Sequence, residues 1–236
     1  MKTDIFSDIQ ILVADVCPLD NDELFFSCLQ RVSDARRCKA LQYYFRRDRN
    51  LSLAAGLVLD SLLSGCGLRE KDMLYTLDMN KKPRFRDYPD IHFNISHAGH
   101  YVVCAMGSID LGVDIEPIMP LDKDLVHHIL SDGELSYLSS LPQDEKSEGF
   151  ARIWTLKESF LKALGTGLFK SLSDFEIIPG CPTQVSDSCF SHYSFYEFGW
   201  QGYAASLCAR SCALEKETVL NSIKQLSLIE TVPVTY

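Results

Sequence analysis

The chain has 236 residues, 46% of them hydrophobic and 23% charged, enough for one large core or two halves of roughly 100 to 120 residues each. A formal net charge of −9 excludes a sequence-independent grip on nucleic acid, and no run approaches the roughly 20 apolar residues of a membrane span. Nine cysteines, an odd number without a C-x-x-C, read as buried thiols of a reducing, cytoplasmic compartment, and the pair Cys208 and Cys212 lacks a second pair of matching spacing for zinc. Asp4, Asp8 and Asp15 interrupt the first apolar stretch, which therefore does not read as a signal peptide.

In chain order, residues 9–16 read as a buried strand, and 21–31 and 33–45 as helices opened by the caps Asn21 and Ser33. Residues 31–49 hold a local basic cluster on this acidic chain: Arg31, Arg36, Arg37, Lys39, Arg46, Arg47 and Arg49. A third helix spans 49–63 and stops at the glycine-rich residues 64–67. Asn80-Lys81-Lys82-Pro83 is a turn, leading to a strand at 91–95 and then a chain reversal bearing Ser96 and His97. Residues 101–106 and 111–116 read as a hairpin joined through Gly107–Asp110. Helices are expected at 121–130, 132–141 and, after a polar stretch, 150–164, closed by Gly165-Thr166-Gly167. From Phe175 the chain alternates as antiparallel strands, with a further helix at 215–226. The fold class is α+β, with antiparallel or mixed sheets.

Three clusters carry chemistry. In Leu111–Glu116 the apolar residues share one strand face and Gly112, Asp114 and Glu116 the other. Two carboxylates on one face suit a hard divalent cation such as Mg²⁺, or are two unrelated acids on a solvated face. On the helix at 150–164, Trp154, Glu158 and Lys162 recur at four-residue spacing. That stripe is either an exposed ion pair beside a buried Trp, or a third metal carboxylate and a phosphate-neutralising cation. Ser96 and His97, with Lys82 upstream, suit a phosphate-rich ligand or a loop that satisfies itself. A serine-hydrolase pair is excluded, because no G-x-S-x-G is present.

The joint order of these clusters resembles a known family. F-N-I-S-H-A-G at 93–99, G-V-D-I-E at 112–116 and F-A-R-I-W-T-L-K-E-S-F-L-K-A-L-G-T-G-L at 150–168 resemble the signature motifs of surfactin-type 4′-phosphopantetheinyl transferases. W-x-x-K-E-S is similar to the carrier-priming branch rather than the K-E-A branch of siderophore systems. The resemblance covers residues 80–168 and extends loosely to the basic helix and to 52–59; beyond about 180 no motif matches.

The resemblance implies two similar α+β halves, residues 1–110 and 111–236, related by a pseudo-twofold with coenzyme A in the cleft. It implies that Asp114, Glu116 and Glu158 hold Mg²⁺, and that Ser96 and His97 contact the coenzyme A phosphates. Arg36, Lys39, Ser52 and Lys82 would complete the nucleotide site, and Lys162 would lie against the transferred phosphate with Trp154 supporting its helix. Glu158, Lys162 and His97 would be the catalytic groups of a monomeric enzyme acting on an acyl or peptidyl carrier protein. The chain departs from the pattern at Lys81, where the family carries glycine, and at Arg36, where a lysine is usual. A Mg²⁺-dependent phosphohydrolase and a non-catalytic coenzyme A module remain as rival readings.

Overall fold

A computed structural model of the chain describes residues 9–165, 172–180, 183–210 and 215–229. The architecture is α+β, as expected. The first apolar run becomes β1 (Gln10–Asp15). Asn21 caps α1 (Asp22–Cys28) by accepting from the Leu24 N–H, and Ser33 caps α2 (Asp34–Gln42) by accepting from the Arg36 N–H. The helix α3 (Arg46–Ser64) follows and stops at Gly65. Strands β2 (Tyr75–Leu77) and β3 (Pro83–Phe85) then pair around the turn at Asn80–Pro83. Lys81 takes φ 64° there, the left-handed conformation that glycine adopts at no steric cost.

Strand β4 (His92–Ala98) runs further than expected, so Ser96 and His97 sit within it and not in the reversal, which falls at Gly99 with φ 56°. Its antiparallel partner is β5 (Tyr101–Gly107), which also pairs with β1. The expected hairpin between β5 and β6 (Leu111–Pro117) does not form, because both edges of β5 are already taken. The residues between them carry the chain from one sheet to another.

Next come α4 (Lys123–Ile129), α5 (Asp132–Ser140) with a Ser131–Glu134 capping box, and α6 (Lys146–Leu164), which begins earlier than expected. A small ladder, β7 (Ile177–Ile178) with β8 (Gln184–Val185), precedes the hairpin of β9 (Ser194–Trp200) and β10 (Tyr203–Ala209). The last helix, α7 (Lys216–Asn221), is shorter than the expected 215–226. Its final part is instead β11 (Ile223–Leu226), which satisfies the open edge of β1 as a parallel strand. Thr166, Gly167, Cys181 and Cys212 lie outside the described residues. Among the described residues no helix is long and apolar enough to cross a membrane.

The sheets have strand orders β11-β1-β5-β4 and β6-β10-β9. One pattern occurs twice: a strand, helices ending in a 19-residue helix (α3, then α6), and an antiparallel hairpin whose second strand pairs with the first of the set. Leu53 and Leu57 of α3 pack with Val102, Cys104 and Met106 of β5. The opposite face of that sheet, through Ile11, Val13 and Val103, packs with Val113, Ile115 and Leu207 of the second sheet. Leu156 and Phe160 of α6 pack with Cys208 on the far side. The sheets therefore face one another, with one long helix outside each. At one margin β6 also meets β4, where the Val113 N–H donates to Asn94 Oδ1 at 2.8 Å.

Candidate active site

The alternation in β6 buries Leu111, Val113 and Ile115 in the core between the sheets. The opposite face, Gly112, Asp114 and Glu116, is not solvated, because α6 lies on it. A Cβ at Gly112 would stand 2.1 Å from Ser159 O and 2.4 Å from Ala163 N, so the missing side chain is what lets the helix backbone reach the strand. Asp114 is 2% exposed. Its Oδ1 accepts from Lys162 Nζ at 2.5 Å and from Ser96 Oγ at 2.7 Å, and Lys162 Nζ also donates to Ser96 Oγ at 2.9 Å. Strands β4 and β6 and helix α6 thus each give one side chain to a closed triangle.

Asp114 Oδ2 is buried with no hydrogen-bond partner. Glu116 and Glu158 stand half-buried nearby. Desolvation, then repulsion from Asp114, pushes Glu116 up to about 7, with Lys162 opposing and Glu158 adding to the rise. Desolvation also raises Glu158, with Lys162 opposing and Asp114 reinforcing. Acids that raise one another in this way are close together and short of positive charge. Among the described residues no three His, Cys, Asp or Glu side chains already form a ligand cluster; Lys162 stands on Asp114 instead. Three carboxylates and an unpartnered buried carboxylate oxygen nevertheless fit, as a donor set, a hard divalent ion such as Mg²⁺.

A cavity of about 230 Å³ lies along β4, lined by Ile95 and His97 on either side of Ser96 in the chain, and Arg36, Lys39 and Ser52 also line it. Ser52 Oγ is buried there without a partner. Arg36 is partly engaged: its Nε lies 3.2 Å from Glu70 Oε1, and Glu70 also accepts from the Ser33 N–H and the Tyr75 hydroxyl. His97 is open to solvent on one side, yet desolvation lowers its pKa, with Lys162 and Lys39 lowering it further against its own backbone bond and Asp48. Of the seven cations at 31–49 only Arg36 and Lys39 face this cavity. Arg31 pairs with Asp60, Arg37 with Asp34 and Arg46 with Asp22; Arg47 donates to Gly99 O, and Arg49 lies over the Phe25 ring. Most of the basic cluster therefore ties α1, α2 and α3 to their surroundings.

Lys82 joins neither place. It is 7% exposed, and its Nζ donates to Lys162 O at 2.6 Å and Leu111 O at 2.9 Å, with Ala163 O at 3.5 Å. Trp154 packs edge-on against Phe150, with centroids 5.6 Å apart, and so anchors the stripe that carries Glu158 and Lys162. Two contributors escaped the sequence reading. Asn94 shares a strand face with Ser96, and alternation alone could have found it. Glu70 gave no local signal, because its partners Ser33 and Arg36 lie far away in the chain.

Known proteins match over this whole arrangement. A model described as the N-terminal part of 4′-phosphopantetheinyl transferase matches residues 19–108, and one for the 4′-phosphopantetheinyl transferase superfamily matches residues 110–208. The chain is 30% identical over 200 residues to the 4′-phosphopantetheinyl transferase Sfp of Bacillus subtilis strain 168, covering 83% of this chain and 89% of that one. It is 33% identical to the 4′-phosphopantetheinyl transferase ffp of Bacillus subtilis, covering 75% and 82%. The 4′-phosphopantetheinyl transferase HetI of a Nostoc strain is 29% identical over 78% of this chain and 87% of its own length. Such matches, over more than four-fifths of each relative, place the chain in the Sfp-type branch of the 4′-phosphopantetheinyl transferase family, to which it belongs.

Proposed function

We propose that the triangle of Asp114, Lys162 and Ser96 and the adjoining cavity form a coenzyme A site, from which 4′-phosphopantetheine passes to a serine of an acyl or peptidyl carrier protein. The observation that carries this reading is the contact of Lys162 with Asp114 and Ser96 at the seam of β6 and α6, with His97, the residue after Ser96, lining a cavity together with Arg36 and Lys39. Arg36, Lys39 and Ser52 bind the nucleotide phosphates, and His97 and Ser96 meet phosphate oxygens toward the triangle. Lys162 offsets charge on the phosphoryl group in transfer. Glu158, whose pKa desolvation raises, accepts the proton of the carrier serine. The serine oxygen bonds to the pantetheine-side phosphorus, the bond from that phosphorus to the bridging diphosphate oxygen breaks, and 3′,5′-ADP leaves.

Asp114, Glu116 and Glu158 would hold Mg²⁺, which when bound supplies further neutralisation of the diphosphate. On this reading residues 1–110 and 111–236 form two halves related by a pseudo-twofold, and one cytoplasmic chain carries the whole site as a monomer. The carrier docks on the apolar residues just after β6. Release of 3′,5′-ADP from coenzyme A, measured with and without apo carrier, tests the reading. Release that requires the carrier supports it, whereas equal release without carrier identifies a phosphohydrolase.

A further inference from the structure

We propose that Lys82 is a positioning residue: a cap in trans on the C-terminus of α6 that fixes this helix on β6 and thereby sets the contact between Lys162 and Asp114. The inference rests on the function proposed above only for its kinetic consequence; the structural part stands without it.

The last four carbonyls of an α-helix have no partner within the helix. In α6 the Gly165 N–H turns back to Leu161 O, at φ 73°. The next two carbonyls, Lys162 O and Ala163 O, are reached by Lys82 Nζ, and a cation there also complements the negative end of the helix dipole. The third bond of the same ammonium goes to Leu111 O, the first residue of β6. One nitrogen from the β2–β3 hairpin thus ties the helix bearing Glu158 and Lys162 to the strand bearing Asp114 and Glu116. The tie sits where helix and strand are closest, since Gly112 leaves no room even for a Cβ between them.

The hairpin is built to hold this lysine in place. Asp78 Oδ1 accepts from the Lys82 and Asn80 N–H groups, the Asp78 N–H donates to Lys82 O, and the Lys81 N–H donates to Asp78 O. Arg84 in turn reaches Asp78 and Asp110. A Cβ placed on Gly165 would stand 3.5 Å from Lys82 Cδ. An ammonium with three carbonyl oxygens around it and 7% exposure has no free donor to offer a phosphate without giving up one of these bonds.

The test is Lys82→Met, which keeps the length of the stem and removes the ammonium. Expected are a fall in the rate constant for carrier modification of about tenfold or more, a Kd for 3′,5′-ADP within about twofold of the parent, and faster amide exchange confined to the last turn of α6. A loss of 3′,5′-ADP affinity of about tenfold or more with unchanged exchange in α6 would make Lys82 a phosphate ligand and overturn the proposal. If the parent shows no transfer, the functional reading fails, while the exchange data still decide the positioning role. Should the variant not fold, acetylation of the parent protein decides: Lys82 must resist acetic anhydride equally with and without 3′,5′-ADP. Rapid labelling that the nucleotide blocks would contradict the cap.

Discussion

Lys162 on α6 and Asp114 on β6 meet at 2.5 Å, with Asp114 buried and Lys162 open on one side, so this ion pair joins the wall of the site to its solvent-facing cation. The other oxygen of Asp114 has no protein partner. That oxygen carries an unmet demand for positive charge, and Asp114 at the same time raises the pKa of both Glu116 and Glu158.

The three carboxylates are accordingly expected to act as one unit with a divalent ion. Asp114→Ala lowers the rate of carrier modification by roughly 10³-fold while the far-UV circular dichroism stays that of the parent. Excess EDTA does the same to the parent, and added Mg²⁺ restores it. Full activity in metal-free buffer contradicts the metal role.

Lys39 lines the cavity with Arg36, Ser52 and His97, and the proposed function gives it the 3′-phosphate. Lys39→Ala weakens coenzyme A by about tenfold and dephospho-coenzyme A by less than about twofold, read by calorimetry. Equal losses for the two ligands move Lys39 to the diphosphate.

Met119, 61% exposed, and Ile118, 37% exposed, follow β6 at once, whereas Leu121 packs against the cluster around α4 and α6. The apolar strip thus splits into an anchored end and an open end. Met119→Asp raises the KM for the carrier about tenfold, leaves that for coenzyme A unchanged and shifts the melting temperature by less than about 2 °C. A stable variant with unaltered carrier kinetics moves the docking surface elsewhere.

In the first half, Asp60 on α3 is buried and bonded by Arg69, Arg31 and the Glu70 N–H. Burial alone would raise its pKa, but Arg69, that N–H and Arg31 together hold it below its ordinary 3.8. A depressed carboxyl stabilises the fold above its unfolded value and loses that contribution as pH falls through the folded one. Asp60→Asn therefore destabilises the fold near neutral pH, and the gap to the parent narrows as pH falls below about 3.8 in urea titrations. A gap independent of pH refutes the charged role.

Local signals carried much of this into view. The caps Asn21 and Ser33, the alternating face of β6 and the four-residue stripe on α6 are properties of neighbouring residues, and each is legible as written. Partner choice was not legible. The residues of β5 and β6 look like a hairpin until β1 is known to occupy the edge of β5, and Ile223–Leu226 looks helical until the other edge of β1 is left open for it. The destination of Lys82 depends on the end of a helix 80 residues away, and no spacing rule reports that. Ser96 likewise becomes a partner of Asp114 and Lys162 only because β4 and β6 meet across two sheets.

The central claim is that this chain moves 4′-phosphopantetheine from coenzyme A to a carrier serine. The most direct test is the intact mass of a purified apo carrier after incubation with the enzyme, coenzyme A and Mg²⁺. The expected result is a gain of one phosphopantetheine, located on the carrier serine and matched mole for mole by 3′,5′-ADP. An unmodified carrier, with coenzyme A either intact or hydrolysed, contradicts the account.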